Sequence, residues 1–416
     1  MTASLHAAWM AYLETVRWFG GKGAGASVTA IEPLGWWTQP EAPVGVRSEL
    51  ATITYPGGAT EHYHLLVSHH AAGTASGHVL GTAPDSAADV VDATTDPVAL
   101  AAFVAATAPQ FADVDLGVWG GEQSNTIITL GATHLYKVFR KVEPGPNLDT
   151  EVLVALGGGV DVPGVSLRLT GDWPHGTTTD LGMIMDRVPD ATDGWVIATA
   201  ACAAGQDFTA DAHALGVALG AVHAALSDAF GTERASGDDL AALMGRRLDA
   251  AVAQADVLAP YADALRTRFS SLAGQELAVQ RVHGDFHLGQ TLSSPAGWTI
   301  IDFEGEPAKT AAERRAFDSR WRDVAGMVRS FDYARSAHPD PAGPAATAWA
   351  DAARDAFLAG YCGGDVRGDL LSAYEADKAI YEVLYEIRNR PDWVDIPLRA
   401  IRTIASGNDN HNTKEQ

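Results

Sequence analysis

The segment His283-Gly284-Asp285-Phe286-His287-Leu288-Gly289-Gln290-Thr291, followed by Ile300-Ile301-Asp302-Phe303-Glu304-Gly305, gathers the residues of this chain best suited to chemistry. Asp285 sits in a glycine-containing turn, Gln290 follows on the same loop, and Asp302 ends an apolar run. A phosphoryl transfer needs one carboxylate to orient an acceptor hydroxyl and take its proton. It also needs oxygen ligands for the magnesium that neutralises the β and γ phosphates. Asp285 suits the first task, and Gln290 and Asp302 suit the second, Gln290 standing where protein kinases carry the catalytic-loop Asn. A lone Asp after Gly is most often a turn residue, and an Asp ending a strand is most often a cap. Turn chemistry alone does not account for these residues in this order.

The elements around them must bring the carboxylates together. A turn at Ser293-Ser294-Pro295-Ala296-Gly297 followed by the run Trp298-Thr299-Ile300-Ile301 predicts a hairpin whose closure places Asp285 and Asp302 across one cleft. Upstream, Val118 to Leu130 and Leu135 to Arg140 read as strand, loop, strand, turn, strand, with Lys137 in the third strand. A lysine among apolar neighbours is expensive to bury unless its charge is used, and α/β phosphates plus a helix carboxylate are the usual use. Glu151 is the expected partner, and Ser124, Asn125 and Thr126 offer hydroxyl, amide and backbone donors to phosphates. A snorkelling edge lysine and an ordinary turn are the plainer alternatives. The buried strand Leu181 to Met185 runs into an extended linker, so Met185 to Val188 is the candidate hinge whose main chain faces an adenine. One metal nucleotide would then be met by Asp285, Asp302 and Lys137.

HGDFHLGQT and IDFEGEP resemble the signature of the maltokinase-like branch of the aminoglycoside phosphotransferase-like kinases, a branch that includes glucosamine kinases. EQSNT and the Lys-Val-Phe-Arg strand resemble the phosphate loop and nucleotide lysine of that family, and RDVAGMVRSFDY and DKAIYEVLYEIRNRPDW its acceptor-side elements. The resemblance implies an α+β, bilobal protein-kinase-like fold. Its parts are an N-terminal cap over residues 1–90, a nucleotide-binding lobe over 91–187 and a mainly helical catalytic and acceptor lobe over 188–416. It also implies ATP and Mg2+ as cofactors and a sugar hydroxyl as acceptor.

Bulky Arg320 and Trp321 stand where maltokinases are expected to carry smaller residues, and the chain is shorter than expected of them. A narrowed pocket disfavours a disaccharide, and Glu304, Asp323 and Glu386 offer carboxylates to an ammonium group. Glucosamine, phosphorylated at its 6-hydroxyl, is therefore the expected acceptor, with maltose second. His283, Asp285, Glu304, Trp321, Arg322, Asp323, Tyr385 and Glu386 form the expected acceptor set. An aminoglycoside-inactivating enzyme and a catalytically dead kinase-like binding module are the alternatives.

The remaining sequence bounds these readings. The 416 residues carry a formal net charge of −23, which argues against nucleic acid or an anionic membrane surface as a partner. Two cysteines, Cys202 and Cys362, exclude a disulfide framework, and no Cys/His cluster suggests zinc, so a reducing cytoplasm is expected. The start lacks the pattern of a signal peptide, and no uninterrupted apolar run reaches the ~18 residues of a membrane span. Residues 5–19 predict a short amphipathic helix before a glycine-rich stretch, Arg17 to Gly23, that lacks phosphate-loop spacing and is expected to pack an aromatic pair. Alternation from Val28 to His70 predicts an antiparallel meander, its histidines at 62, 64, 69 and 70 solvated. Residues 71–95 read as a flexible connection and the tail from Ser406 as disordered. Stripes at Leu215, Leu219, Val222, Leu226 and Phe230, and three later sets, predict core helices.

Overall fold

The computed structural model describes residues 3–39, 42–83, 87–120, 124–157, 159–174, 176–307 and 309–407. Glu122 and Gln123 of the expected phosphate loop, and the tail from residue 408, lie outside them. The chain divides into two compact units, Met1–Val154 with Pro163–Pro189, and Ala155–Val162 with Asp190–Gln416.

The first unit holds two five-stranded sheets. In one, Ser27–Trp36, Val44–Thr54 and Thr60–His70 form the antiparallel meander, extended by Asp89–Asp92 and Val79–Thr82. The expected flexible connection thus carries two strands of this sheet. Side-chain caps fix the segment, since Asp92 accepts from Thr94 N–H at 2.9 Å and Asp96 from Ser76 N–H at 2.9 Å. Alternation along Thr60–His70 sends Leu65 and Val67 to one core with Trp9, Phe19 and Ile53, and Leu66 to another with Phe103, Tyr136 and Ile184. The N-terminal helix is shorter than expected, Ala3–Leu13, and Phe19 in the glycine-rich stretch packs edge-on against Tyr63.

Two of the histidines expected to be solvated, His64 and His70, are buried. The His64 ring meets Ser48 Oγ at 2.7 Å and the Phe139 carbonyl at 3.0 Å. Burial, with the nearby Arg140 charge, lowers its pKa to about 3, so it is a neutral core residue at physiological pH.

The second sheet runs in the spatial order Leu116–Val118, Thr126–Leu130, His134–Val138, Thr177–Asp186, Val165–Trp173, all antiparallel. It carries Lys137 in its central strand and ends, at Met185, beside Leu135 and Val165.

The second unit is mainly helical. Thr209–Phe230 shows the expected stripe, with Leu215, Leu219, Val222 and Leu226 fully buried, and packs against Pro344–Cys362. Its length and apolarity match a membrane span, but it is accounted for by that packing. Close approach requires glycine here: a Cβ at Gly216 would lie 2.1 Å from the Phe357 carbonyl oxygen, and one at Gly360 would lie 2.1 Å from that of His213. The expected hairpin forms as Thr291–Ser294 against Gly297–Ile300.

Candidate active site

In the second unit, the strand Glu276–Gln280 delivers the chain into an irregular loop, His283 to His287, that a few buried groups hold rigid. Asp323, on the helix Trp321–Ala334, accepts the His283 N–H at 2.7 Å and the Gly284 N–H at 2.8 Å, and meets His223 Nε2 at 2.9 Å. His223 in turn meets Tyr361 Oη at 2.8 Å through Nδ1. Gly284 takes φ 86°, which a side chain would resist, and a Cβ there would lie 3.4 Å from the Gly305 Cα. The loop of Asp285 therefore runs beside the loop of Asp302. The His283 ring crosses between them, its Nε2 donating to the Ile301 carbonyl at 2.9 Å.

The hairpin sets Gln290 against Asp302. Ile301 N–H donates to the Gln290 carbonyl at 3.0 Å, and the Gln290 amide donates to Asp302 Oδ2 at 3.2 Å. Asp302 is held at φ 66°, a conformation that is unfavourable for a residue with a side chain and is concentrated at functional sites. Glu304 places a carboxylate oxygen within 4.8 Å of one from Asp302. The Gln290 amide oxygen and these two carboxylates are hard donors of the kind magnesium takes.

Asp285 opens onto a cavity of about 340 Å³ within the helical unit. Its Oδ1 accepts from Lys378 Nζ at 3.2 Å. Burial alone would push the Asp285 carboxyl up, but the Lys378 ammonium, with His287 and His283 nearby, holds it below its usual value. The same pair pushes Lys378 upward against its own burial. Asp285 is therefore an ionised hydrogen-bond acceptor at neutral pH.

The expected acceptor set only partly reaches this cavity. Asp285 and Arg322 line it, the guanidinium donating to the Gly284 carbonyl at 3.1 Å and to Glu306 at 2.5 Å. Trp321 does not: it is 3% exposed, packed edge-on against Tyr361, so its bulk fills the core and does not narrow the pocket. Asp323 and His283 are likewise buried, their polar atoms spent on the loop itself. Glu386 lies buried under Tyr333 and Arg390, which donate to it at 3.0 and 2.6 Å. Tyr385 is 43% exposed with Arg390 over its face, and the helix turn before it supplies Tyr381 to the cavity wall instead. Glu304 sits with Asp302, its carbonyl accepting from Arg314 at 3.0 Å.

Several wall residues were not anticipated. Tyr374, Asp377, Lys378, Tyr381 and Leu384 recur at helical spacing along Gly368–Asn389, a periodicity that shows one shared face. Glu306 lies in the IDFEGEP stretch without having been singled out there, and Arg247 and Lys309 carry no signal of their own.

In the first unit, Lys137 is buried with its Nζ 2.7 Å from Asp149 Oδ2. Asp149 and the expected Glu151 both lie in the first turn of Leu148–Leu156, so the helix offers two carboxylates where one was foreseen. Thr126 opens its strand with its hydroxyl accepting from Arg140 Nε at 2.8 Å, so that oxygen serves the core rather than a phosphate. Asn125 Oδ1 accepts the Arg140 N–H at 3.2 Å, and its amide donates to the Ser124 hydroxyl at 3.4 Å. At the end of Thr177–Asp186, Met185 and Val188 are both half-buried.

A model of the maltokinase N-terminal cap domain matches residues 12–96. A glucosamine kinase of Streptacidiphilus jiangxiensis is 32% identical over 249 residues, 52% of this chain and 56% of that one. A second, from Mycolicibacterium smegmatis, is 27% identical over 320 residues, 68% of this chain and 78% of that one. The first of these matches thus spans little more than half of the relative's length. Among solved structures, a glucosamine kinase superposes with TM-score 0.65 at 23% identity, over 92% of this chain and 94% of that one. Another, in complex with glucosamine, ADP and inorganic phosphate, gives 0.63 at 24%, over 95% and 99%.

The fold is that of the glucosamine kinases. The chain resembles the maltokinase-like, glucosamine kinase branch in the cap match over residues 12–96, in sequence to the glucosamine kinases above and in fold.

Proposed function

We propose that this protein is an ATP-dependent sugar kinase that transfers the γ-phosphate of ATP to glucosamine, at its 6-hydroxyl. The observation that carries the reading is the cavity beside Asp285. At about 340 Å³ it lies near the lower end of the ~300–1,000 Å³ range of ligand pockets, which suits one sugar ring better than two. Its wall mixes carboxylates, cations and the aromatic faces of Tyr374 and Tyr381, a lining that matches hydroxyls, an ammonium group and the C–H surface of a sugar.

Asp285 accepts the hydrogen bond of the acceptor hydroxyl, aims its lone pair and receives its proton at a carboxylate oxygen. Lys378 keeps that carboxylate charged, and Asp323 fixes the loop on which it sits. Magnesium ATP, when bound, supplies the electrophilic phosphoryl group and its neutralising charge. Gln290, Asp302 and Glu304 would hold the metal. Lys137 would meet the phosphates, together with Ser124 and Asn125 and the main chain at Thr126. The main chain from Met185 to Val188 would meet adenine. Residues 1–90 would then serve as cap, 91–187 as nucleotide lobe and 188–416 as catalytic lobe, in the cytoplasm where ATP is available.

The match of residues 12–96 to a maltokinase cap favours maltose as the second reading. An ADP-release assay across glucosamine, maltose and aminoglycosides tests both. Glucosamine turnover that Asp285→Asn abolishes is the expected result. Maltose turnover with glucosamine untouched would overturn the first reading, and no turnover of any acceptor would leave a kinase-like binding module.

A further inference from the structure

On the cavity wall, one carboxylate has a buried oxygen without a hydrogen-bond partner. Asp377 lies on the wall between Tyr374 and Tyr381, and its Oδ2 accepts from Arg247 Nη1 at 2.7 Å. Its Oδ1 is buried without a hydrogen bond. Buried polar atoms are nearly always paired, and those that are not ask for a ligand or a water. Among the described residues, no other carboxylate on the wall has a buried oxygen left without a hydrogen bond. Asp285 takes Lys378, Glu306 takes Arg322, and Glu313 accepts from Thr310 in its own capping box.

We infer that Asp377 is the specificity-determining anchor for the ammonium group of the acceptor sugar, an assignment that rests on the amino-sugar reading above. The geometry offers the needed acceptor: a carboxylate fixed on one oxygen by Arg247 presents the other in a set direction. Charge favours an ammonium over a hydroxyl. Burial, ahead of the Arg247 and Arg322 charges that oppose it, holds the Asp377 carboxyl above its usual value. A cation arriving at Oδ1 stabilises the charged form, whereas a neutral hydroxyl does so only weakly. The plainer role is to hold Arg247 in place, and it predicts a change in stability with no preference among sugars.

Steady-state kinetics of Asp377→Asn with glucosamine and with glucose separate the two. A charge-assisted bond lost to the amide is expected to raise KM for glucosamine about 10- to 100-fold, with KM for glucose and for ATP changed less than about threefold. If Asp377→Asn shows no cooperative thermal unfolding transition and so has lost its fold, Asp377→Glu carries the test. It keeps the charge but displaces the oxygen, and should raise KM for glucosamine several-fold while sparing glucose. Glucosamine turnover by the wild type with KM unchanged in the variant overturns the assignment alone. A wild type that uses only neutral sugars overturns the amino-sugar reading and this assignment together.

Discussion

Asp323 lies behind the loop that presents Asp285, and its replacement by alanine should show how much of the site depends on that support. The carboxylate accepts two backbone amides, His283 N–H at 2.7 Å and Gly284 N–H at 2.8 Å, and pairs with His223 Nε2 at 2.9 Å, with Asp323, His283 and His223 buried and Gly284 half-buried. Leaving a buried donor unpaired costs about 1–3 kcal/mol. Two such amides, together with the abandoned imidazole, put the loss at roughly 3–6 kcal/mol, a large part of the ~5–15 kcal/mol that stabilises a typical domain. For a unit of this size that corresponds to a fall in Tm of about 10 °C. Burial would push the Asp323 carboxyl up, but the bond and charge of His223, with His283 and the Gly284 amide, hold it below 3.8. A depressed carboxyl contributes stability above its unfolded value and loses it as pH falls through the folded one. The wild-type advantage over Asp323→Ala should thus be full at pH 7 and shrink below pH 3.8. Urea unfolding at both pH values checks this. A loss under about 1 kcal/mol at pH 7, or a gap that persists undiminished in acid, would refute the account of Asp323 as a clamp.

Two further predictions concern the same loop. Lys378→Met removes the ammonium that holds Asp285 below its usual pKa, so the acid limb of the kcat/KM profile should move to higher pH and kcat should fall; an unmoved limb would mean that Lys378 does not act on Asp285. Gly326→Ala puts a Cβ 2.4 Å from the Phe286 carbonyl oxygen, where the helix Trp321–Ala334 passes under the loop. It should cost about 1–3 kcal/mol in thermal stability and lower kcat more than KM, whereas a silent variant would show that the loop yields freely.

Local pattern determined much of this protein. The period-two alternation of Val28 to His70, the period near 3.6 of Leu215 to Phe230 and the turn before Trp298 each specify an element from nearest-neighbour chemistry, and those elements are present. The order Asp285, Gln290, Asp302 is a local signal as well, because one hairpin suffices to bring Gln290 onto Asp302. Residue type also showed that Lys137 must be paired, though not with which of two carboxylates on one helix turn. Tertiary structure decided which polar side chains face the cavity. Asp323, Trp321 and Glu386 read as acceptor residues because polar and aromatic groups suit a sugar, yet each is turned inward by helix packing that no local window records. Arg247 and Asp377, some 130 positions apart in sequence, meet only when two helices pack. Periodicity fixes which residues share a face, but what that face looks onto depends on the partner element, and that is settled by burial over the whole unit.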